Sequence, residues 1–153
     1  PPRRGRGRAG AVSSSNTGTA TKRGRERDFL HDLVFEAKGA RTALLIDETA
    51  QIAERAVLAA CTFVAHPAHQ LCELQLLAVR QSKRGNGSML LRAVERWLRR
   101  DVGVRCIVVL AGEDVVEFWR RHGYDSDSME LSPEKWALLR DPFGGSKMVA
   151  KWV

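Results

Sequence analysis

The chain has 153 residues, 44% of them hydrophobic and 28% charged, which fits one domain built on one core. Its formal charge is +7; eight of its 25 bases and one of its 18 acids fall in residues 1–27, so residues 28–153 hold seventeen of each and are neutral by count. No run approaches a membrane span, no apolar stretch of the kind found in secretory signals follows the basic N-terminus, and the three cysteines, Cys61, Cys72 and Cys106, point to a reduced compartment with no disulfide framework.

Residues 1–27 are rich in Gly, Ser, Thr and Pro and nearly lack large apolar groups, so a disordered basic tail is expected there, with the folded domain over 28–153. Arg3-Arg4-Gly5-Arg6-Gly7-Arg8 suits nucleic acid or an import receptor; a solvated linker is the other reading. The start at Pro1-Pro2 is read as that of a fragment of a longer chain. Asp28 to Lys38, with Phe29, Leu30, Leu33 and Val34, reads as helix or mixed structure, Ala43 to Asp47 as a strand, and Glu48 to Glu54 as a turn or insertion. Ala56 to Ala65 and Leu71 to Val79 read as a hairpin. The hairpin carries a Cys61, His66, His69, Cys72 array. Its spacing is not that of a standard zinc finger or ribbon, so the expectation is two core thiols, two exposed imidazoles and no metal.

Gly87 to Arg100 reads as an amphipathic helix with Leu90, Leu91, Val94, Trp97 and Leu98 on one face. Arg105 to Leu110 reads as a buried strand, and Asp114 to Arg121 as a short helix stopped by Gly123. Ser132-Pro133 starts another short helix to Leu139, Asp141 to Gly145 is a turn, and Lys147 to Val153 a final strand. Strands mixed with helices give an α/β or α+β layered domain.

The most informative stretch joins the apolar run ending at Val79 to the helix, through Arg80-Gln81-Ser82-Lys83-Arg84-Gly85-Asn86-Gly87. Glycines admit close backbone approach, the first helical N–H groups point at whatever sits there, and Lys83 and Arg84 add charge. A pyrophosphate is the expected guest. Walker A is excluded because no Gly-Lys-Ser or Gly-Lys-Thr follows at the right spacing; the dinucleotide fingerprint fails because Leu90 stands where its third glycine belongs.

What remains resembles the Gln/Arg-x-x-Gly-x-Gly/Ala signature of GNAT acyl-CoA N-acyltransferases. Two registers are open, Arg84 through Gly87 to Met89, and Ser82 through Gly85 to Gly87; the second keeps both glycines and is preferred. Cys72 to Val79 resembles the central strand of the general-control-nonderepressible and PCAF type of histone lysine acetyltransferase, in which a Glu lies six residues before the Val of a Cys-Ala-Val triplet. Here the triplet is Leu77-Ala78-Val79 and Glu73 takes the Glu position. Phe29 to Phe35 with Thr42 to Ile46, Ala111 to Tyr124 and Asp141 to Met148 are similar to further segments of that family.

The resemblance implies a GNAT fold: a central, mixed and mostly antiparallel sheet flanked by helices and splayed at the acetyl-CoA site, with the family's first strand missing from this chain. It implies Glu73 as general base, backbone of Leu77, Ala78 and Val79 along the pantetheine arm, and the Val79 amide facing the thioester oxygen. Arg84, Gly85, Asn86, Gly87, Ser88 and Met89 are implied around the pyrophosphate, and Ala111, Phe118 and Trp119 in the second acetyl-CoA segment. Trp119 stands where many members carry a Tyr that protonates the leaving thiolate; its other reading, and that of Phe118, is a core aromatic. The implied activity is acetyl transfer to a lysine of a histone or other basic protein, in the nucleus, within a larger chain or coactivator complex and away from membranes. The alternatives are a cytoplasmic enzyme, a small-amine or N-terminal acetyltransferase, and a catalytically weak binding module of the same fold.

Overall fold

The structure, a computed structural model, describes residues 34, 37–52, 56–82, 84–126, 131–140 and 145–153. The described strands are β1 (Ala40–Ile46), β2 (Val57–His66), β3 (Leu71–Val79), β4 (Cys106–Gly112) and β5 (Ser146–Trp152). The described α-helices are α1 (Asn86–Trp97), α2 (Val116–Arg121) and α3 (Pro133–Trp136). The strands form one sheet in the order β1-β2-β3-β4-β5, antiparallel throughout except for the parallel pair β3–β4. This is the mixed, mostly antiparallel, helix-flanked sheet expected from the sequence.

Local chemistry explains the connections. Pro67 opens the tight Pro67–His69 turn between β2 and β3, and Gln70 closes it in the left-handed region at φ 53°. A parallel pair cannot be joined by a hairpin, so α1 supplies the crossover from β3 to β4. Its buried face, Leu90, Leu91, Val94 and Leu98, packs in one core with Cys61, Phe63, Cys72, Leu74, Ile107 and Val109 of the sheet. Trp97 is more exposed than the periodicity implied, at 37%, and its ring leans on Phe63 with centroids 5.9 Å apart. The helix winds on through one wider turn, Leu98–Val102, and stops at Gly103 with φ 78°. On the other sheet face a smaller core gathers Leu71, Cys106, Val108, Leu131 and Ala150.

A polar cluster fastens α1 to the far edge of the sheet. Tyr124 Oη donates to Glu95 Oε1 at 2.9 Å, and Lys151 Nζ donates to both Glu95 oxygens at 3.0 and 2.9 Å. Burial, and then the neighbouring Glu95 carboxylate, push the Tyr124 phenol well above its ordinary ionisation range.

Element boundaries differ from the sequence expectation at the ends. β1 starts at Ala40 rather than Ala43, because the turn before it is set by Gly39 at φ 80°. The helix expected from Asp114 begins as a tight turn over Glu113–Val115, and that expected to run to Leu139 ends at Trp136. Expectations for the basic tail, the missing first strand and most of residues 28–38, 53–55 and 141–144 lie outside the described residues. Cys61 and Cys72 are core thiols as expected. Burial raises both, Cys61 to about 12, so neither is available as a thiolate. The two imidazoles are half-buried rather than exposed, and His66 Nε2 is enclosed without a hydrogen-bond partner.

Candidate active site

The parallel ladder between β3 and β4 runs only from Leu71 opposite Cys106 to Leu74 opposite Val109. Beyond it β3 stays with β2 as far as Val79, and β4 stays with β5 as far as Gly112. The two strands part, and a cleft of about 590 Å³ opens between them. One wall is β3, with Gln75, Leu76, Leu77 and Val79; the other is β4, with Leu110, Ala111 and Gly112. Residues 76–79 therefore keep a sheet neighbour on one edge only, which lets an extended, amide-bearing chain lie against the other like an added strand.

The turn after β3 builds the cleft's mouth. Gly85 caps α1 at φ 78°, a conformation that costs an L-residue a Cβ clash. The cap has no side-chain bond, and Met89 N is bonded to Gly85 O at 2.9 Å. The helix thus leaves the N–H groups of Asn86, Gly87 and Ser88 without helical acceptors at its positive end, an anion-binding arrangement. Gly87 is buried, and a Cβ added there would lie 3.0 Å from Val79 Cγ1. Both glycines of the preferred register are thus required by geometry. Arg80, Arg84 and Asn86 line an adjoining cavity of about 370 Å³ together with Asp47, so the basic side chains flank the cradle. Lys83 lies outside the described residues.

Helix α2 closes the cleft from below. Trp119 is buried, edge-on to Phe118 at 5.2 Å and to Tyr124 at 5.2 Å, so it is a core aromatic that also lines the cleft. Phe118 lines the cleft too, and its ring lies 4.4 Å from that of His122. His122 Nδ1 is 2.8 Å from Phe118 O and its Nε2 is 2.9 Å from Ser88 Oγ. A carbonyl only accepts, so Nδ1 carries the proton, and in the neutral ring Nε2 accepts from the Ser88 hydroxyl. This bond ties the cradle's first helical turn to α2. Nothing in the sequence marks His122, which lies between the end of the short helix and Gly123.

Glu73 is 4% exposed, on the β3 face that carries Leu71 rather than the α1 face. Its Oε1 accepts the backbone N–H of Arg140 at 3.2 Å, and its Oε2 accepts from Gln75 Nε2 at 3.1 Å. Glu73 is paired with Val108 one step before the ladder to β4 ends at Leu74, and it does not line the cleft. Among the other residues singled out in the sequence, Leu77, Val79, Gly85, Asn86, Gly87, Ser88, Ala111, Phe118 and Trp119 converge on the cleft, and Arg84 on the adjoining cavity. Ala78 is exposed on the sheet and Met89 is 58% exposed, and neither lines the cleft. Residues not singled out, among them Gln75, Leu110 and His122, complete it.

Comparison with known proteins fits this geometry. Tetrahymena GCN5 superposes with a TM-score of 0.67 at 15% identity, covering 80% of this chain and 73% of that one. N-acetylglutamate synthase from Neisseria gonorrhoeae, solved with coenzyme A and N-acetyl-glutamate, superposes with a TM-score of 0.57 at 17% identity, over 84% of this chain and 28% of that one. Spermidine N-acetyltransferase from Vibrio cholerae gives 0.54 at 11% identity, over 80% and 71%. Identities this low carry the fold alone. No curated protein matches the chain in sequence. The sequence model of the Acetyltransferase (GNAT) family matches residues 16–124, most of the chain. The chain therefore belongs to the Acetyltransferase (GNAT) family, acyltransferases whose co-substrate is acetyl-CoA.

Proposed function

We propose that the protein transfers the acetyl group of acetyl-CoA directly to a lysine ε-amine of a basic protein, of the histone-tail kind, in the nucleus, with Glu73 as general base. The observation that carries this reading is the buried Glu73 carboxylate, held by two hydrogen bonds at the point where β3 and β4 part. Acetyl-CoA supplies an activated thioester. The protein's part is to bind, orient and deprotonate. The open edge at Leu77, Ala78 and Val79 suits the pantetheine arm, and the N–H groups of Asn86, Gly87 and Ser88 suit the pyrophosphate. The Val79 amide is assigned to the thioester oxygen, where a fixed donor is most useful as negative charge develops. A lysine amine has a pKa of about 10.4 and arrives protonated, so a base must take its proton before it can attack. Trp119 has no acidic proton to give, so the thiolate leaves without help from that position.

The lysine preference rests on the placement of Glu73 within a strand that resembles the histone-type branch; GCN5 shares the fold. A small-amine enzyme is the second reading, because a spermidine acetyltransferase shares the fold. Turnover of acetyl-CoA with a histone-tail peptide, measured beside spermidine and free amino acids, separates the two: higher kcat/KM on the peptide is expected, and a preference for spermidine overturns the lysine assignment. Glu73→Gln should lower kcat at neutral pH about a hundredfold or more, the scale of general-base catalysis, while coenzyme A binding stays within a few-fold. The loss should shrink as pH rises toward the amine's own pKa. Unchanged turnover at neutral pH would remove Glu73 from the base role.

A further inference from the structure

The bond between His122 and Ser88 joins two residues that both line the cleft. Its hydrogen pattern in the free protein works against an anion. His122 Nδ1 faces Phe118 O at 2.8 Å and must carry a hydrogen, so in the neutral ring Nε2 accepts, and it draws the Ser88 hydroxyl hydrogen to itself at 2.9 Å. Ser88 Oγ then has only lone pairs left for a guest. Yet Ser88 is the third residue of α1 after the Gly85 cap, in the first turn whose N–H groups converge on an anion. A phosphate oxygen arriving there would meet a second acceptor. One proton reverses the pattern. With hydrogen on both ring nitrogens, Nε2 donates to Ser88 Oγ, and the hydroxyl hydrogen is released toward the phosphate. The bond from Nδ1 to Phe118 O is kept.

The charges around the ring decide when that proton arrives. On α2, Arg121 lines the cleft beside His122, exposed and with its Nε donating to Glu117 O at 3.3 Å, while Glu117 and Arg120 are themselves exposed. On α1, Arg92 lies one turn beyond Ser88 and is exposed. The parts of β3 and β4 that line the cleft bring no charged side chain, and among the described residues no carboxylate lines it, so the counter-charge for an imidazolium comes with the ligand. The Phe118 ring, its centroid 4.4 Å from that of His122, adds an aromatic face that favours a cation. We infer that His122 is a positioning residue for coenzyme A: when the pyrophosphate binds, Nε2 takes a proton from solvent and donates a hydrogen bond to Ser88 Oγ, which turns the Ser88 hydroxyl onto a phosphate oxygen. This rests on the reading that the cradle holds the pyrophosphate. Cofactor binding is thereby linked to pH. Because a proton is taken up on binding, the affinity is highest at the acid end and is lost as pH rises through the interval in which an imidazole titrates.

Calorimetry of coenzyme A binding between about pH 6 and about pH 8 tests this, on the wild type and on His122→Gln. A glutamine amide can donate to Ser88 but takes up no proton, and the ligand's own phosphates titrate alike in both proteins. The ratio of wild-type to variant affinity should therefore fall about fivefold from the acid to the alkaline end. His122→Asn takes the place of His122→Gln should the latter fail to fold. A ratio that stays constant across the range overturns the inference. The same pair is then compared in a Ser88→Ala background, where the ratio should no longer change with pH. A change as large as before would mean that the ring acts on the phosphate without Ser88, and the inference would fall. At the acid end Ser88→Ala and His122→Leu should each weaken binding about tenfold, the loss of one charge-assisted hydrogen bond, and together by little more than either alone. Fully additive losses would likewise sink the relay. Gly87→Asp separates the two levels. Wild-type affinity in that variant removes the cradle reading and this inference with it, whereas lost binding there beside a constant ratio removes the inference alone.

Discussion

At the scale of single residues, the two glycines of the cradle do different jobs and should fail differently. Gly85 faces open space, and only its left-handed φ of 78° resists a side chain. Gly85→Ala should cost stability of roughly 1–2 kcal/mol and weaken coenzyme A binding only modestly. Gly87 has ordinary backbone but touches Val79 at the cleft mouth, and Gly87→Asp adds both bulk and negative charge where the pyrophosphate approaches. Calorimetry should detect no coenzyme A binding to folded Gly87→Asp; wild-type affinity there would move the cofactor elsewhere. The core thiols give a second expectation. Burial raises Cys61 from 9.0 to about 12, so the unfolded chain ionises first as pH rises. The stability from keeping that thiol neutral is present below pH 9 and is lost as pH climbs toward 12. Melting temperature should therefore fall above pH 9, less steeply in Cys61→Ala, and iodoacetamide should label Cys61 only after denaturation. The glycine roles were legible in the sequence because a turn before a helix has few solutions. Gln75 was not, since the bulge it makes opposite Thr62 and Phe63 leaves no mark in a mostly apolar run, and the bond of His122 to Ser88 joins positions 34 apart.

At the scale of elements, the site exists because a parallel pair sits inside an otherwise antiparallel sheet. β3 and β4 share a short ladder and then follow different partners, β2 and β5, so the opening needs no strained residue. β3 was read to its ends because Leu71 to Val79 is a mostly apolar run bounded by turn residues. The parting was expected from the family resemblance and not from either strand's own pattern, because strand pairing is set by long-range contacts. Glu95, Tyr124 and Lys151 add a polar link from α1 to β5 across the parting. Tyr124→Phe should cost about 1–2 kcal/mol, one hydrogen bond to a charged acceptor, and Glu95→Ala somewhat more, because it leaves two donors without their acceptor. The Glu95 and Lys151 side chains keep 12% and 26% exposure, so solvent softens the ion pair and the larger share of the cost falls on the enclosed phenol. Urea denaturation of the single and double variants should show less than additive losses; additive losses would mean the three groups do not act as one cluster.

At the scale of the whole molecule, charge and catalysis are segregated. The formal excess of +7 lies in residues 1–27, while the segments that build the cleft belong to a stretch that is neutral by count. A neutral domain has no general attraction for polyanions, so any hold on nucleic acid should come from the basic segment, and chiefly from Arg3, Arg4, Arg6 and Arg8. The family match begins at residue 16, which places those arginines outside it. Removing residues 1–15 should therefore leave kcat and KM on a short lysine peptide close to unchanged. On a nucleosomal substrate the same deletion should raise KM at low salt and flatten its salt dependence. If all four arginines meet phosphates, the slope of log affinity against log salt should fall by about 3–4, at roughly 0.9 for each phosphate no longer neutralised. Raising the salt should then bring the full chain and the shortened chain together. A large loss of rate on the short peptide would instead mean that the segment contributes to the fold or to the cleft. An unchanged salt slope on nucleosomes would mean that its arginines meet something other than phosphate.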